Sequence, residues 1–406
     1  MYRKFTADHI FTGNVLLAAN KVLIINDGDI ITGIVDSEDA GDDIQVLKGL
    51  LCPGFINAHC HLELSHLKGI IPEKTGLVEF VQTVMRQREP PLHEVAGTND
   101  LRTHMELKQV AMQAAVEELY KTGTAAVGDI CNTSDSIFVK NNSKLHWHNF
   151  IEVSGFTDAG AANRLESIKK VYQEFDEKTW PATLSPHAPY SVSKTLFKRL
   201  NDLTADQLIT IHNQESSAEN ELYQNKTGGF LELYRNFGID ISSFVPTGKS
   251  SSQSWLPYFN RQQSIISVHN SFINKDDIEF ADKQVSKRLH NIYYCICINA
   301  NKYIEDTIPP LNLLREKSDN IVLGTDSYAS NRQLNLFEEI KTIQAETGSD
   351  ISLPEVLRWA TINGAKALRM EEKLGSFNTN KQPGIVLIEQ LENLSTTPAS
   401  FARRIV

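Results

Sequence analysis

Side chains able to bind a metal stand at the ends of short apolar runs in this sequence. His59 and His61 close LCPGFINAHCH, and His212 ends QLITIH with Glu215 three residues on. His269 ends SIISVH, and Asp326 ends NIVLGTD. Residues i and i+2 of a strand project from one face, so His59 and His61 can both aim at one interior point. Three neutral imidazoles and a carboxylate suit one divalent ion, zinc first and iron as the alternative, with water in an open position. Such an ion acidifies its water toward neutral pH. Glu215, one loop step past His212, is placed to take that proton and pass it to a leaving nitrogen. His269 is either a further ligand or the group that holds the attacking water.

Ligands from distant strands meet only if the strands close around a common axis. Eight strand candidates recur: 49–59, 125–130, 145–153, 181–187, 207–212, 264–269, 291–298 and 320–326. Helical stretches separate several of them. The clearest is MELKQVAMQAAVEELYKTG, with an expected apolar stripe of Leu107, Val110, Ala111, Ala114, Ala115 and Leu119 and a stop at Gly123. This alternation predicts a (β/α)₈ TIM-like barrel, whose active site lies at the C-terminal strand ends. The first 50 residues read as short β-segments with an Asn26-Asp27-Gly28-Asp29 turn, and GIVLIEQLENL near the other end is strand-like. The expected division is a β-sandwich of residues 1–50 plus 372–406 around a barrel of 51–371. Two long connections, from Leu62 to about Asp100 and SSFVPTGKSSSQSWLPYFNRQQ, are candidates for shaping a pocket.

The net charge of -10 argues against nucleic acid as a partner, which needs clustered Lys and Arg. No apolar stretch approaches the roughly 18–20 residues of a membrane span. The N-terminal stretch has no signal-peptide pattern, and five scattered cysteines make no disulfide framework, so a cytoplasmic location is expected. Two motifs are discounted. Thr247-Gly248-Lys249-Ser250 imitates a P-loop end but has Ser243 where the upstream glycine belongs, and Cys295 with Cys297 read as packing.

PGFINAHCHLE (53–63), SPHAPYSVS (185–193), HNQES (212–216), VHN (268–270), LGTDSYAS (323–330) and LRWATINGAKAL (357–368) follow one another along most of the chain. Together they resemble the amidohydrolase superfamily, in its mononuclear deaminase branch. The resemblance implies His59, His61, His212 and Asp326 as ligands, Glu215 as proton shuttle and His269 as the residue that orients water. It places His187 against substrate. The fourth strand, PATLSPHAPY, lacks the lysine that bridges two ions in related barrels, so one ion is expected. Cys297-Ile298-Asn299-Ala300-Asn301 departs from the family's Cys-Pro-x-x-Asn, and NTNKQPGIVLIE lacks its usual acidic-alanine turn.

HLELSHL and HNQESSAENE are similar to deaminases of 6-aminodeoxyfutalosine, an adenine nucleoside. The expected enzyme is therefore a hydrolase of carbon–nitrogen bonds outside peptides, releasing ammonia from such a nucleoside. Glu63 is nominated for ribose hydroxyls, with a cap or a pair with Lys68 as its ordinary alternative. Arg88 is nominated for a carboxylate distal to the base, against a solvated helix face. Adenosylhomocysteine, methylthioadenosine and guanine deaminases are the alternatives, then an amide or chloro-hydrolase on the same scaffold, and last a non-catalytic scaffold. A small-molecule substrate is the expected partner, with a homodimer left open.

Overall fold

The computed structural model describes residues 2–88, 101–178 and 180–406, without the side chains of 101–104. Eight parallel strands form its centre: Phe55–Cys60, Thr124–Cys131, His146–Val153, Ala182–Pro186, Leu208–Asn213, Ser264–His269, Asn291–Ile296 and Ile321–Leu323. They pair in sequence order as two four-stranded sheets. The barrel closes at two seams. His212 N–H donates to His187 O at 2.9 Å, joining the fourth and fifth strands. Thr325 and Asp326 N–H both donate to His59 O at 3.1 Å, joining the eighth to the first. Both seams therefore run through residues with a candidate role in the chemistry.

The run at 49–59 is two strands, not one. Leu50–Pro53 joins the chain-end sheet, while Phe55–Cys60 enters the barrel. Gly54 permits the break, because a Cβ there would sit 2.5 Å from Pro383 O and 2.7 Å from Ala125 Cβ. The apolar run carries no sign of the change of sheet, since both halves are fully buried.

The chain ends supply two further sheets. One orders Phe401–Arg404, Ile385–Glu389, Leu50–Pro53, His9–Phe11 and Leu16–Leu17; the other contains Ile31–Asp36, Lys21–Asn26, Tyr2–Thr6 and Ile44–Val46. Phe5, Leu23, Ile25, Leu51 and Leu387 pack in one core that draws on both. The expected turn after Lys21–Asn26 forms, with Asn26 Oδ1 accepting Gly28 N–H at 3.0 Å and Asp29 at φ 60°.

The long helix spans Leu101–Lys121, and Gly123 follows at φ 103°. Its buried face is not the expected stripe. Met112, Ala115, Val116 and Leu119 are buried, whereas Leu107 and Val110 are 50% and 68% exposed and Ala114 is exposed. Two apolar phases compete here, and the one containing the bulkier Met112 and Val116 buries more surface. In the first long connection a 3₁₀ turn, Leu62–Leu67, precedes a helix, Leu77–Gln87; the rest, 89–100, lies outside the described residues. Among the described residues no helix is long and apolar enough to cross a membrane.

Candidate metal centre

Each candidate ligand leaves a strand end with its geometry already set. The ligand atoms of His59, His61, His212 and Asp326 all lie within 4.8 Å of one another, and all four residues are buried. His61 Nε2 and His212 Nε2 are 3.1 Å apart, and Asp326 Oδ1 is 3.5 Å from both His59 Nε2 and His61 Nε2. Two ligands bound at about 2.0–2.2 Å to one tetrahedral ion stand roughly 3.3 Å apart, so these spacings suit a shared cation. His212 donates its Nδ1–H to His187 O at 2.8 Å, which leaves Nε2 with a bare lone pair. Neither ring nitrogen of His59 makes a hydrogen bond of ordinary geometry among the described residues, although both are buried and Nε2 stands 3.5 Å from Asp326 Oδ1. A buried imidazole without a hydrogen bond is costly unless something else binds it, and a metal ion fits that demand.

The electrostatics agree. Burial lowers His61 to about 4, despite the attraction of Asp326, and drives His212 well below the ordinary histidine range. Both imidazoles are therefore neutral, the form that ligates. Burial would raise Asp326, but the surrounding His59, His61 and His269 hold it well below the carboxylate norm. Asp326 sits at φ 57° and His269 at φ 72°, left-handed conformations that are strained for these residues and occur here at two strand ends. Gly324 lets the eighth strand approach so closely. A Cβ there would lie 2.9 Å from Cys295 Sγ, Cys297 Sγ and His59 Cβ, so the two thiols pack behind the centre.

Glu215 and His269 face each other across the site, with Oε1 and Nε2 3.5 Å apart. His269 donates Nδ1–H to Asn301 Oδ1 at 2.8 Å, so its buried Nε2 points inward as an acceptor. Burial lowers His269 to about 4. Burial also raises Glu215 well above the carboxylate range, with Asp326, Glu219 and Glu305 adding to the effect. A carboxyl whose proton affinity is raised, beside a neutral imidazole, can serve as base and acid in turn.

A cavity of about 410 Å³ opens from this centre, lined by His61, His212, Glu215, His269 and Asp326 at its floor. Phe80, Val84, Met85, Phe156, Tyr234 and Phe237 make its outer wall apolar. His187 also lines it. Ser191 Oγ donates to Ala188 O at 3.1 Å and lies 2.6 Å from His187 Nδ1, which makes that nitrogen the donor and Nε2 an acceptor. Arg88 lines the wall and donates to Glu63 Oε2 at 3.2 Å. Glu63 itself lies behind the wall. Its carboxylate also takes Asn132 N–H, Thr133 N–H and Thr133 Oγ1 at 2.9–3.1 Å, and Lys68 pairs with Glu118 instead.

Three residues escaped the sequence reading. Asn301, seen only as part of a departing motif, fixes the His269 tautomer. Glu219 braces the Glu215 loop. Glu152 lines the cavity from the third strand; it shares a parity with His148 and Phe150, and an acid ending such a run was the available signal. Glu152, His187 and His212 also converge within 4.8 Å, but His212 has no nitrogen left for a second ion.

The family profile described as "Amidohydrolase family" matches residues 50–404. The chain is 26% identical over 357 residues to an aminodeoxyfutalosine deaminase of a Nitratiruptor species, covering 86% of this chain and 81% of that one. Its fold superposes on Helicobacter pylori aminofutalosine deaminase in complex with methylthio-coformycin, with TM-score 0.78, 22% identity, and 97% and 93% of the two chains covered. It also superposes on an adenosine deaminase from Xanthomonas campestris with bound zinc, with TM-score 0.69, 21% identity, and 98% and 86% covered.

Proposed function

This chain belongs to the amidohydrolase family, and from that premise we propose that it is a metal-dependent hydrolytic deaminase of an adenine-type nucleoside. The observation that carries the reading is the placing of Glu215 and His269, 3.5 Å apart, on the floor of a cavity beside four converging ligands. His59, His61, His212 and Asp326 would hold one divalent ion, which supplies Lewis acidity and an acidified water. Zinc is the proposed metal, supported by the nitrogen-rich donor set and by the zinc in the Xanthomonas campestris enzyme.

The chain's own residues divide the remaining work. Glu215 would carry two protons in turn, one from the attacking water to a ring nitrogen of the base and a second from the hydroxyl left on the attacked carbon to the amine that departs as ammonia. His269, locked by Asn301, offers Nε2 to the attacking water and holds it in line. His187 presents Nε2, an acceptor in this tautomer, to a donor on the substrate. Arg88 donates to Glu63 and lines the cavity, where its guanidinium can meet an acidic or polar tail. The apolar outer wall supports a nucleoside with an apolar or aromatic 5′ substituent. We place the accessory unit at 1–53 with 372–406 and the barrel at 54–371, three residues later than expected because Leu50–Pro53 pairs in the chain-end sheet. Five free cysteines, all buried, support a cytoplasmic setting.

The test is ammonia release from the metal-loaded protein over adenine nucleosides, guanine and small pyrimidines. Turnover of adenine nucleosides is expected; turnover of guanine alone overturns the reading. Unchanged kinetics in Arg88→Ala on the best substrate removes Arg88 from the pocket.

A further inference from the structure

Glu152 stands at the C-terminal end of the third barrel strand and is only 6% exposed. It lines the cavity, yet its Oε1 has no hydrogen-bond partner among the described residues. Burial pushes its carboxyl up, but His187, His61 and Arg88, with a hydrogen bond from Asn132, pull it below the ordinary range. A buried carboxylate oxygen without a donor is costly, and native folds keep such groups beside sites where a ligand completes them. No second ion does so, since His212 is fully committed.

Its position says which part of a ligand it meets. Glu152 lies within 4.8 Å of His187 and His212 on the metal side, and it feels Arg88 at the end of the helix that supplies the apolar wall. A ligand with its reacting ring at Glu215 and its tail against Phe80 and Phe156 presents its midsection here. In a nucleoside that midsection is the sugar, which carries hydroxyl donors.

Resting on the nucleoside reading, we propose that Glu152 is a specificity-determining residue that accepts hydrogen bonds from the sugar hydroxyls. Glu63, whose oxygens are filled by loop donors, then serves to shape the wall.

The experiment compares kcat/KM of the zinc-loaded wild type and of Glu152→Gln on adenosine, 2′-deoxyadenosine and 3′-deoxyadenosine. The wild type should lose about 10–100-fold on at least one deoxy analogue, the worth of a hydrogen bond to a charged group. Glu152→Gln should lose a similar factor on adenosine and less than about threefold on that analogue, with bound zinc unchanged. Equal wild-type rates on all three nucleosides overturn the proposal whether or not the variant folds. An equal loss on all three in Glu152→Gln also overturns it, marking a purely structural role. If the wild type turns over none of them, the nucleoside reading fails first and takes this inference with it.

Discussion

Glu219 accepts the backbone N–H of Glu215 at 2.8 Å and that of Gln214 at 3.0 Å, so one buried acid shapes the loop that carries another. Ser251 Oγ completes the brace at 3.1 Å, and Gln214 passes through φ 46°. Glu219→Ala leaves two buried amides unpaired and lets Glu215 drift. A shift of about 1 Å at a reacting group costs on the order of 10²-fold. The expected outcome is a fall in kcat of roughly 10–100-fold with the metal retained, read by steady-state kinetics and elemental analysis. A kcat within threefold of wild type would detach Glu219 from catalysis.

His212→Ala removes the lone pair that faces His61 across 3.1 Å. Metal content should drop from one ion per chain to nearly none, and activity with it. Dialysis of the wild type against a chelator should lower its melting temperature, since a site filled at about 1,000 times its Kd adds about 4 kcal/mol to stability. Full metal in the variant would refute this ligand set.

Burial raises Glu339 to about 8, against the pull of hydrogen bonds from Asn299 and Asn331. Its folded value exceeds the unfolded one, near 4.5, so the folded chain binds the extra proton. The resulting stability is complete below about pH 4.5 and is lost as pH climbs through 8, on the order of a few kcal/mol. The melting temperature of Glu339→Gln, followed over that range, should decline less steeply than that of wild type. Parallel declines would show that Glu339 does not titrate in the window.

What the sequence disclosed follows from what strand periodicity encodes. His59 and His61 announce a shared face, and a strand end is visible as the end of an apolar run; their meeting with Asp326 then follows from barrel closure. Glu63 and Glu152 show where this stops. Both are acids near the catalytic rim, but which one faces the cavity depends on loop amides at Asn132 and Thr133 that no side-chain pattern reports. The helix face failed similarly, because Leu107 and Met112 belong to alternative stripes that only packing separates.

Asn301 offers a sharper probe of His269 than mutation of the histidine itself. Asn301→Ala frees both tautomers, whereas Asn301→Asp still accepts Nδ1–H at the 2.8 Å position. The alanine variant should lose about 10–100-fold in kcat, the usual scale for a partner that orients a histidine. The aspartate variant should recover part of that loss and shift the pH–rate profile upward, because a carboxylate stabilises the imidazolium. Identical profiles for the two variants would mean that Asn301 only fills space.

Lys140 and Asp129 form an ion pair with both side chains fully buried, Nζ to Oδ2 at 2.5 Å. Burial pulls Lys140 down, but Asp129 and Cys131 together more than compensate and its net shift is upward, so the ammonium stays charged. Asn149 Oδ1 at 2.8 Å accepts a second proton. Asp129 Oδ1 meanwhile accepts Leu62 N–H at 2.8 Å, one residue past His61, so the pair also tethers the chain leaving the metal centre. Lys140→Met strands a buried carboxylate and should cost about 3–5 kcal/mol by chemical denaturation. Asp129→Asn added to it removes the charge, keeps an acceptor for Leu62, and should recover most of that loss. If the double variant is no more stable than Lys140→Met, packing of the lysine stem, rather than the uncompensated charge, is what the single substitution removes.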